Sequence, residues 1–144
     1  MGARYTVSKA STALSTTADS VTITAPAGRS LKIWGIRMYG GAAASAYNEV
    51  LVSRSTGGAT PVAITPTPLN ADFAAATFTA ASGWTTQPTL GATIRRIGVN
   101  SNGAAIQQPY PPGSEIDVPG GGQVSIRSAS GTGAIAIEVD VEQI

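Results

Sequence analysis

Cysteine and histidine are absent from this chain of 144 residues. Their absence excludes disulfides, zinc fingers, haem sites of the Cys or His type, Cys or His nucleophiles and any Ser-His-Asp triad. Long apolar runs are also lacking, and none approaches the roughly 18 residues that a membrane-spanning helix needs. The first residues alternate from the start, without the apolar core of a signal peptide. We therefore expect no cofactor and no membrane partner.

Charge is scarce as well. Charged residues make up 12% of the chain, against about 25% in an ordinary soluble domain. The net charge is +1, so bulk electrostatic attraction gives no reason to expect nucleic acid as a partner. Among the nine cationic residues, arginine is far commoner than lysine, a bias typical of surfaces that a partner covers. We interpret this as a surface used in assembly. The alternative is a compositional habit of the source genome.

The last third of the chain carries the clearest structural pattern. From Ala134 to Glu142, apolar and polar residues alternate strictly, with Ile135, Ile137, Val139 and Val141 on one face. This period of two is typical of a strand with one side in a core and one side in water. Proline and three glycines at 119–122 interrupt the preceding stretch and predict a connection between two further strands.

Similar short runs recur along the rest of the chain. About 8–10 strands at spacings of about 8–12 residues, with no amphipathic helix of useful length, predict an all-β, jelly-roll-like antiparallel β-sandwich. The strongest apolar run, Arg29 to Tyr39, indicates a strand buried on both faces or one that switches faces at Gly35 through a bulge. The length fits one domain, which we divide into an N-terminal strand or arm (residues 1–20) and a single β-sandwich domain (residues 21–144).

One long segment, about residues 69–91, shows no period of two and no clear helical face. We predict a long loop, with room for one helical turn around residues 72–76. Loops longer than about 12–15 residues in compact domains are usually functional or disordered. Phe73, Phe78 and Trp84 argue against disorder, because aromatic side chains in a loop generally lie against something.

Paired carboxylates are the catalytic option that remains. Glu115 and Asp117 are two residues apart, as are the acids at 138, 140 and 142, and a glycosidase could use such a pair. They occupy the polar faces of alternating strands, which favours solvated carboxylates or ion pairs with Arg95, Arg96 or Arg127. A calcium site would need a denser Asp/Asn loop, and the glycines at 120–122 lack the Lys-Ser/Thr of a phosphate loop. We predict no catalytic, cofactor-binding or metal-binding residue, and no enzyme.

Several stretches together resemble small virion structural proteins of tailed bacteriophages. They are Arg-Tyr-x-Val at residues 4–7, Gly-Trp-Thr-Thr-Gln-Pro-Thr at 83–89, Arg-Arg-Ile-Gly-Val at 95–99, Pro-Gly-Ser-Glu-Ile-Asp-Val-Pro-Gly-Gly-Gly at 112–122, and Ile126-Arg127. The chain is most similar to decoration (cement) subunits on the outside of the head. The resemblance implies a jelly-roll-like sandwich, commonly a homotrimer, that binds the major capsid protein of the assembled shell and stabilises the capsid.

This resemblance assigns provisional roles to residues. We assign shell contact to the N-terminal arm, which contains Arg4, Tyr5 and Leu14, because a weakly ordered terminus can lie across a neighbour. We assign contact between subunits to the 69–91 loop with its three aromatic residues. The complete predicted interface set is Arg4, Tyr5, Leu14, Phe73, Phe78, Trp84, Arg95, Arg96 and Tyr110.

Other functions stay open at this point. A tail or fibre-associated virion subunit uses the same kind of sandwich. A carbohydrate-binding β-sandwich module would use Trp34, Trp84 or Tyr110 as a stacking platform, and a glycosidase would depend on Glu115 or Asp117.

Overall fold

The computed structural model describes residues 2–103 and 105–144, and the regular secondary structure of these residues consists of β-strands, with no helix. The strands are β1 (Ala3–Ala13), β2 (Val21–Thr24), β3 (Leu31–Gly40), β4 (Tyr47–Thr56), β5 (Val62–Ile64), β6 (Thr67–Pro68), β7 (Thr79–Ser82), β8 (Thr89–Asn100), β9 (Ile106–Pro109), β10 (Ile116–Val118), β11 (Gln123–Ser130) and β12 (Ala134–Gln143).

These strands form two antiparallel sheets that pack face to face. Sheet A has the order β10-β3-β12-β1-β6, with β9 also paired to β3, and sheet B has the order β5-β7-β2-β11-β4-β8. The predicted all-β antiparallel sandwich is therefore confirmed. The jelly-roll topology stays a prediction.

The core lies between the sheets, and β12 supplies its central row. Ile135, Ile137, Val139 and Val141 are all at most 1% exposed, as their alternation predicts. The acids on the other face of β12 stay partly exposed. Burying each such apolar side chain contributes about 1.5–3 kcal/mol to the free energy of folding, so this one strand supplies a large part of the stabilisation.

A bulge lets β3 present four apolar residues to one core. Gly35 pairs with Asp140 of β12 and Ile33 pairs with Val141, so Trp34 lies between them as an extra residue. Side-chain direction shifts by one position at this point. Leu31, Ile33, Ile36 and Met38 consequently all face the interior and are at most 1% exposed. Of the two interpretations of this run, the switch of faces near Gly35 is the one observed.

The prediction of one long loop at 69–91 is wrong for the middle and the end of this segment, which form strands. It contains the whole of β7, which pairs with β2 and β5, and β8 begins within it at Thr89. The expected helical turn at 72–76 is also absent, because a turn closed by the Phe73 N–H on the Asn70 carbonyl (3.0 Å) precedes irregular chain. Thr79-Ala80-Ala81-Ser82 has no large apolar side chain to show a period of two, so its strand conformation depends on pairing with its neighbours.

The N-terminal segment is part of the sandwich. β1 lies between β12 and β6, and its Tyr5 and Val7 are buried in the core. Its second half carries Ser, Thr and Ala, and a register shift against β12 falls between Lys9 and Thr12. Residues 3–13 therefore belong to sheet A, and β12 pairs with them everywhere except at Ala10 and Ser11.

The packing of β12 generates the first prediction. Ile137→Ala removes a side chain that is 0% exposed and should lower the free energy of unfolding by about 2–5 kcal/mol. Ile144→Ala makes the same chemical change one residue beyond the same strand, where Ile144 is 55% exposed, and should change it by less than about 0.5 kcal/mol. Urea unfolding of both variants measures the difference. Equal effects of the two substitutions would contradict the assignment of the inward face.

Candidate assembly surfaces

Three residues of the predicted interface set lie inside the subunit. Tyr5 and Phe78 pack edge to face in the core, with ring centroids 5.5 Å apart, and the Tyr5 hydroxyl donates to the Ala74 carbonyl at 2.8 Å. Leu14 is 3% exposed. These side chains hold the two sheets together and are not available to a neighbouring chain in this structure. The alternation of Tyr5 with Val7 already pointed to burial for the first of them.

Phe73 is the aromatic residue of the 69–91 segment that reaches the surface most clearly. Its side chain is 37% exposed, and Leu69 in the same irregular stretch is 53% exposed. The backbone around them is anchored to the edge of sheet A, because the Leu69 N–H donates to the Arg4 carbonyl at 2.9 Å. This stretch is therefore an apolar surface feature on a fixed backbone.

Residues 83–88, called the strap here, lie across the outer face of sheet B. The Trp84 indole N–H donates to the Thr22 hydroxyl at 3.0 Å, and the Gln87 side-chain amide donates to the Trp84 carbonyl, also at 3.0 Å. Gln87 also accepts a hydrogen bond from the Asp19 N–H at 2.9 Å. Trp84 is thus half-buried against its own sheet, bonded through the one polar atom of its ring.

A buried ion pair lies beneath the strap. The Asp19 side chain is fully buried, and its Oδ1 accepts from the Arg127 Nε at 2.7 Å. Its Oδ2 accepts from the hydroxyls of Thr22 (2.6 Å) and Ser125. The same guanidinium donates to the Pro88 carbonyl at 3.0 Å, which ties the end of the strap to sheet B. Sequence reasoning missed Asp19, although a lone acid in a Ser/Thr/Ala stretch was the available signal.

Two arginines of the predicted interface set cover aromatic rings of their own chain. The guanidinium of Arg4 lies 5.1 Å from the ring centroid of Trp34 on the outer face of sheet A, and that of Arg95 lies 5.3 Å from the ring centroid of Tyr110. Burial raises the pKa of the Tyr110 hydroxyl, and the charge of Arg95 opposes that shift. Arg95 also donates to the Ser114 carbonyl at 3.3 Å, so it fastens the loop before β10 against the edge strand β8.

The carboxylates at 138, 140 and 142 lie on the outer face of sheet A, as predicted, but their partners differ from those expected. Glu138 pairs with Arg37, and Glu142 accepts from the Gly2 N–H at 2.8 Å. Arg96 pairs instead with Glu49. Asp140 packs beside Gly35, where a Cβ would lie 3.1 Å from its Oδ2.

The carboxylate of Glu115 stabilises the turn before β10. Glu115 precedes β10 and accepts from the Gly113 N–H at 2.6 Å. Backbone hydrogen bonds lower the pKa of the Glu115 carboxyl, which is the behaviour of a turn-stabilising anion and the opposite of a general acid. Among residues 2–103 and 105–144, no group of three or more Asp or Glu side chains could hold a metal ion.

Comparison with protein-family models, with curated proteins and with solved structures found no match for this chain. No helix in the part of the chain that the structure describes is long and apolar enough to cross a membrane.

The buried ion pair generates the second prediction. Asp19→Asn leaves the Arg127 guanidinium, only 12% exposed, without its counter-ion, and should lower the free energy of unfolding by about 3–5 kcal/mol. Asp72→Asn, in an exposed turn, is the matched control and should change it by less than about 0.5 kcal/mol.

In a Trp34→Phe background, Trp84 is the sole tryptophan, so its fluorescence reports directly on the strap. We expect the Asp19→Asn spectrum to shift towards that of a solvated indole. A fully retained spectrum together with unchanged stability would show that the pair does not fasten the strap.

The Asp140 carboxyl generates the third prediction. Burial raises its pKa above the ordinary value of 3.8, while Arg37 lowers it and Glu138 raises it further. The folded protein therefore keeps this proton to a higher pH than the unfolded chain does. The free energy of unfolding must then fall as the pH rises from about 3.8, the ordinary pKa, to the raised pKa of the folded protein.

We expect the free energy of unfolding of the natural protein, measured relative to Asp140→Asn, to fall as the pH rises through that window towards neutrality. Asp72→Asn controls for the change in net charge. Urea unfolding at a series of pH values measures this difference, and parallel pH profiles for the natural protein and Asp140→Asn would contradict it.

Proposed function

We propose that this chain is a non-enzymatic structural subunit of a phage particle, a homotrimer that binds the outside of the assembled capsid as a decoration subunit. The observation that carries the proposal is a rigid sandwich whose few charges are mostly used within the subunit. The resemblance of several of its stretches to head decoration proteins supplies the identity of the particle.

The arginines account for most of that internal use. Six of the seven are tied to their own chain: three form ion pairs with carboxylates, two cover aromatic rings, and one donates to a backbone carbonyl. They are Arg37, Arg96 and Arg127, then Arg4 and Arg95, and finally Arg54, which reaches the Asp117 carbonyl. The enrichment in arginine therefore reflects the fastening of this fold, and the surface left for a partner is low in free charge.

Three loops at one end of the sandwich contain no charged residue. The loops at 41–46, 101–103 and 131–133, called the charge-free end here, consist of Gly, Ala, Ser, Thr and Asn. Ser101 is buried there, and it joins two of the loops by accepting from the Ala42 N–H and donating to the Ala46 carbonyl, both at 2.9 Å. The third loop is joined through the Gly133 N–H, which donates to the buried Asn48 side chain at 3.1 Å.

Such an end suits attachment to a large assembly. Small uncharged side chains allow close approach to a flat partner. Contact there does not remove water from any charged side chain, so no desolvation penalty for a charge opposes binding. The hydrogen-bonded loops are already ordered, so binding does not have to order them. Binding only to the assembled shell stabilises that shell by mass action, by about 2.7 kcal/mol per site at a free concentration 100 times Kd.

Carbohydrate binding gains no comparable support. Each of the rings of Trp34 and Tyr110 already has an arginine over one face, and Trp84 is half-buried in the strap. A stacking platform needs exposed faces side by side, and these three rings belong to different elements. A tail or fibre-associated subunit remains the alternative within the same particle.

The proposal predicts saturable binding to heads. The purified chain should sediment as a trimer of 14.4 kDa subunits, co-sediment with undecorated heads of the phage that encodes it, and raise their melting temperature. Ala44→Glu introduces a charge at the charge-free end and should weaken binding about tenfold or more. Ala27→Glu makes the same change in an exposed turn between β2 and β3 and should leave affinity unchanged. Binding to isolated tails and not to heads would favour the alternative, and binding to neither would overturn the proposal.

A further inference from the structure

The outer edge of β1 is only partly covered. β6 has two residues and pairs only with Tyr5 and Thr6 of β1. Beyond Thr6, no strand among residues 2–103 and 105–144 pairs with this edge, although β1 continues to Ala13. The second half of β1 thus has a strand partner on one side only, which is β12.

The direction of the free backbone groups follows from one hydrogen bond. The Arg4 carbonyl accepts from Leu69 on the β6 side of the strand. In an antiparallel sheet, both polar groups of a residue point to the same side, and the side alternates along the strand. Ser8 therefore presents its N–H and C=O groups to the open edge, before the register shift at residues 10 and 11 interrupts the alternation. After the register shift, the Leu14 N–H donates to the Gly133 carbonyl at 3.1 Å, on the side of β12.

A cavity of about 270 Å³ lies beside this edge. It is bordered by Lys9 and Thr12 of β1, by Ser20, and by Val62, Ser82 and Gly83 on the side of sheet B. Sites for small ligands usually enclose about 300–1,000 Å³. A space just below that range, next to unpaired backbone groups, fits one side chain of an added strand better than a separate small molecule.

Charge identifies the side chain that this space would take. Lys9 has no ion pair with any carboxylate in residues 2–103 and 105–144. Asp19 also borders the cavity, but its carboxylate is fully buried and already bound by Arg127. An incoming residue opposite Lys9 would point into the cavity, so an acidic side chain there gains an ion pair that the subunit does not supply itself.

The open edge of β1 and the cavity beside it are together called the groove here. A second copy of this chain is a poor partner for the groove. Residues 7–13 carry Lys9 and no acid, so pairing two β1 edges would bring lysine towards lysine. The edge also lies beside the charge-free end, since a Cβ at Gly41 would meet the Ser11 hydroxyl at 2.8 Å. The groove is therefore continuous with the surface proposed above for attachment.

We infer that the edge of β1 from Ser8 to Ala13 is a strand-acceptor site for an extended segment of a different polypeptide that carries Asp or Glu opposite Lys9. The inference rests on the proposed function, in which that polypeptide is a subunit of the shell. Backbone hydrogen bonds to Ser8 hold the added strand, and the Lys9 ion pair sets its register.

Two pairs of variants test this on undecorated heads. Lys9→Glu should weaken binding about tenfold or more, while Arg29→Glu, the same change in charge in an exposed turn, should have no effect. Ser8→Pro removes an N–H from the open edge, and Ser8→Thr retains it. Only the proline should weaken binding, and unfolding midpoints identify any variant whose fold is lost.

Hydrogen exchange of the natural chain makes the test independent of the variants. Peptides that cover residues 6–11 should become protected when the chain binds heads. If the chain does not bind heads, the proposed function and this inference both fall. If it binds without protection there, and Lys9→Glu binds normally, only the strand-acceptor site is overturned. Lys9 would then act solely to discourage edge pairing in the free subunit.

Discussion

The pairing of the first strand with the last is the constraint on which the rest of the structure depends. β12 lies between β1 and β3, and its inward residues form the central row of the core. Sheet A therefore cannot form until the end of the chain is available, and such non-local pairing is slow to form. The same pairing explains why the Ser/Thr/Ala half of β1 is ordered. β12 supplies the backbone partner and the apolar surface that this half lacks.

The arginines have a different role from the one that the composition suggested, because most of them contact their own subunit. A bias towards arginine is typical of interfaces, but these side chains close gaps within one subunit, for example where Arg95 holds the loop before β10 against β8. An arginine can do this because its planar guanidinium stacks on rings and donates several hydrogen bonds at once. The consequence is that most arginines already have a partner in their own subunit, and few are left free for another chain. This is the property that the assembly hypothesis needs.

The features that could be predicted from the sequence are those set by residues close together in the chain. The alternation in β12 indicates a core strand, and the glycine inside β3 indicates a bulge as one of two interpretations, because both patterns depend on neighbouring residues. The strand β7 and the strap could not be found in this way, since small residues show no period and only the neighbouring strands fix their conformation. Asp19 was missed for the same reason, as its partner Arg127 is 108 residues away. Phe78 was assigned to a loop because the strand that follows it was not recognised.

The buried ion pair connects the strap to the edge of β1. Asp19 borders the cavity beside Lys9, its N–H is bonded to Gln87 of the strap, and its carboxylate is bonded to Arg127 of sheet B. Asp19, which borders the groove, is thus fixed by hydrogen bonds both to the strap and to sheet B. An added strand would therefore bind to side chains that are already ordered. Binding would not carry the entropy cost of ordering a flexible site. The polar network beneath the strap therefore supports the surface that we propose for attachment, although none of its members needs to touch the partner.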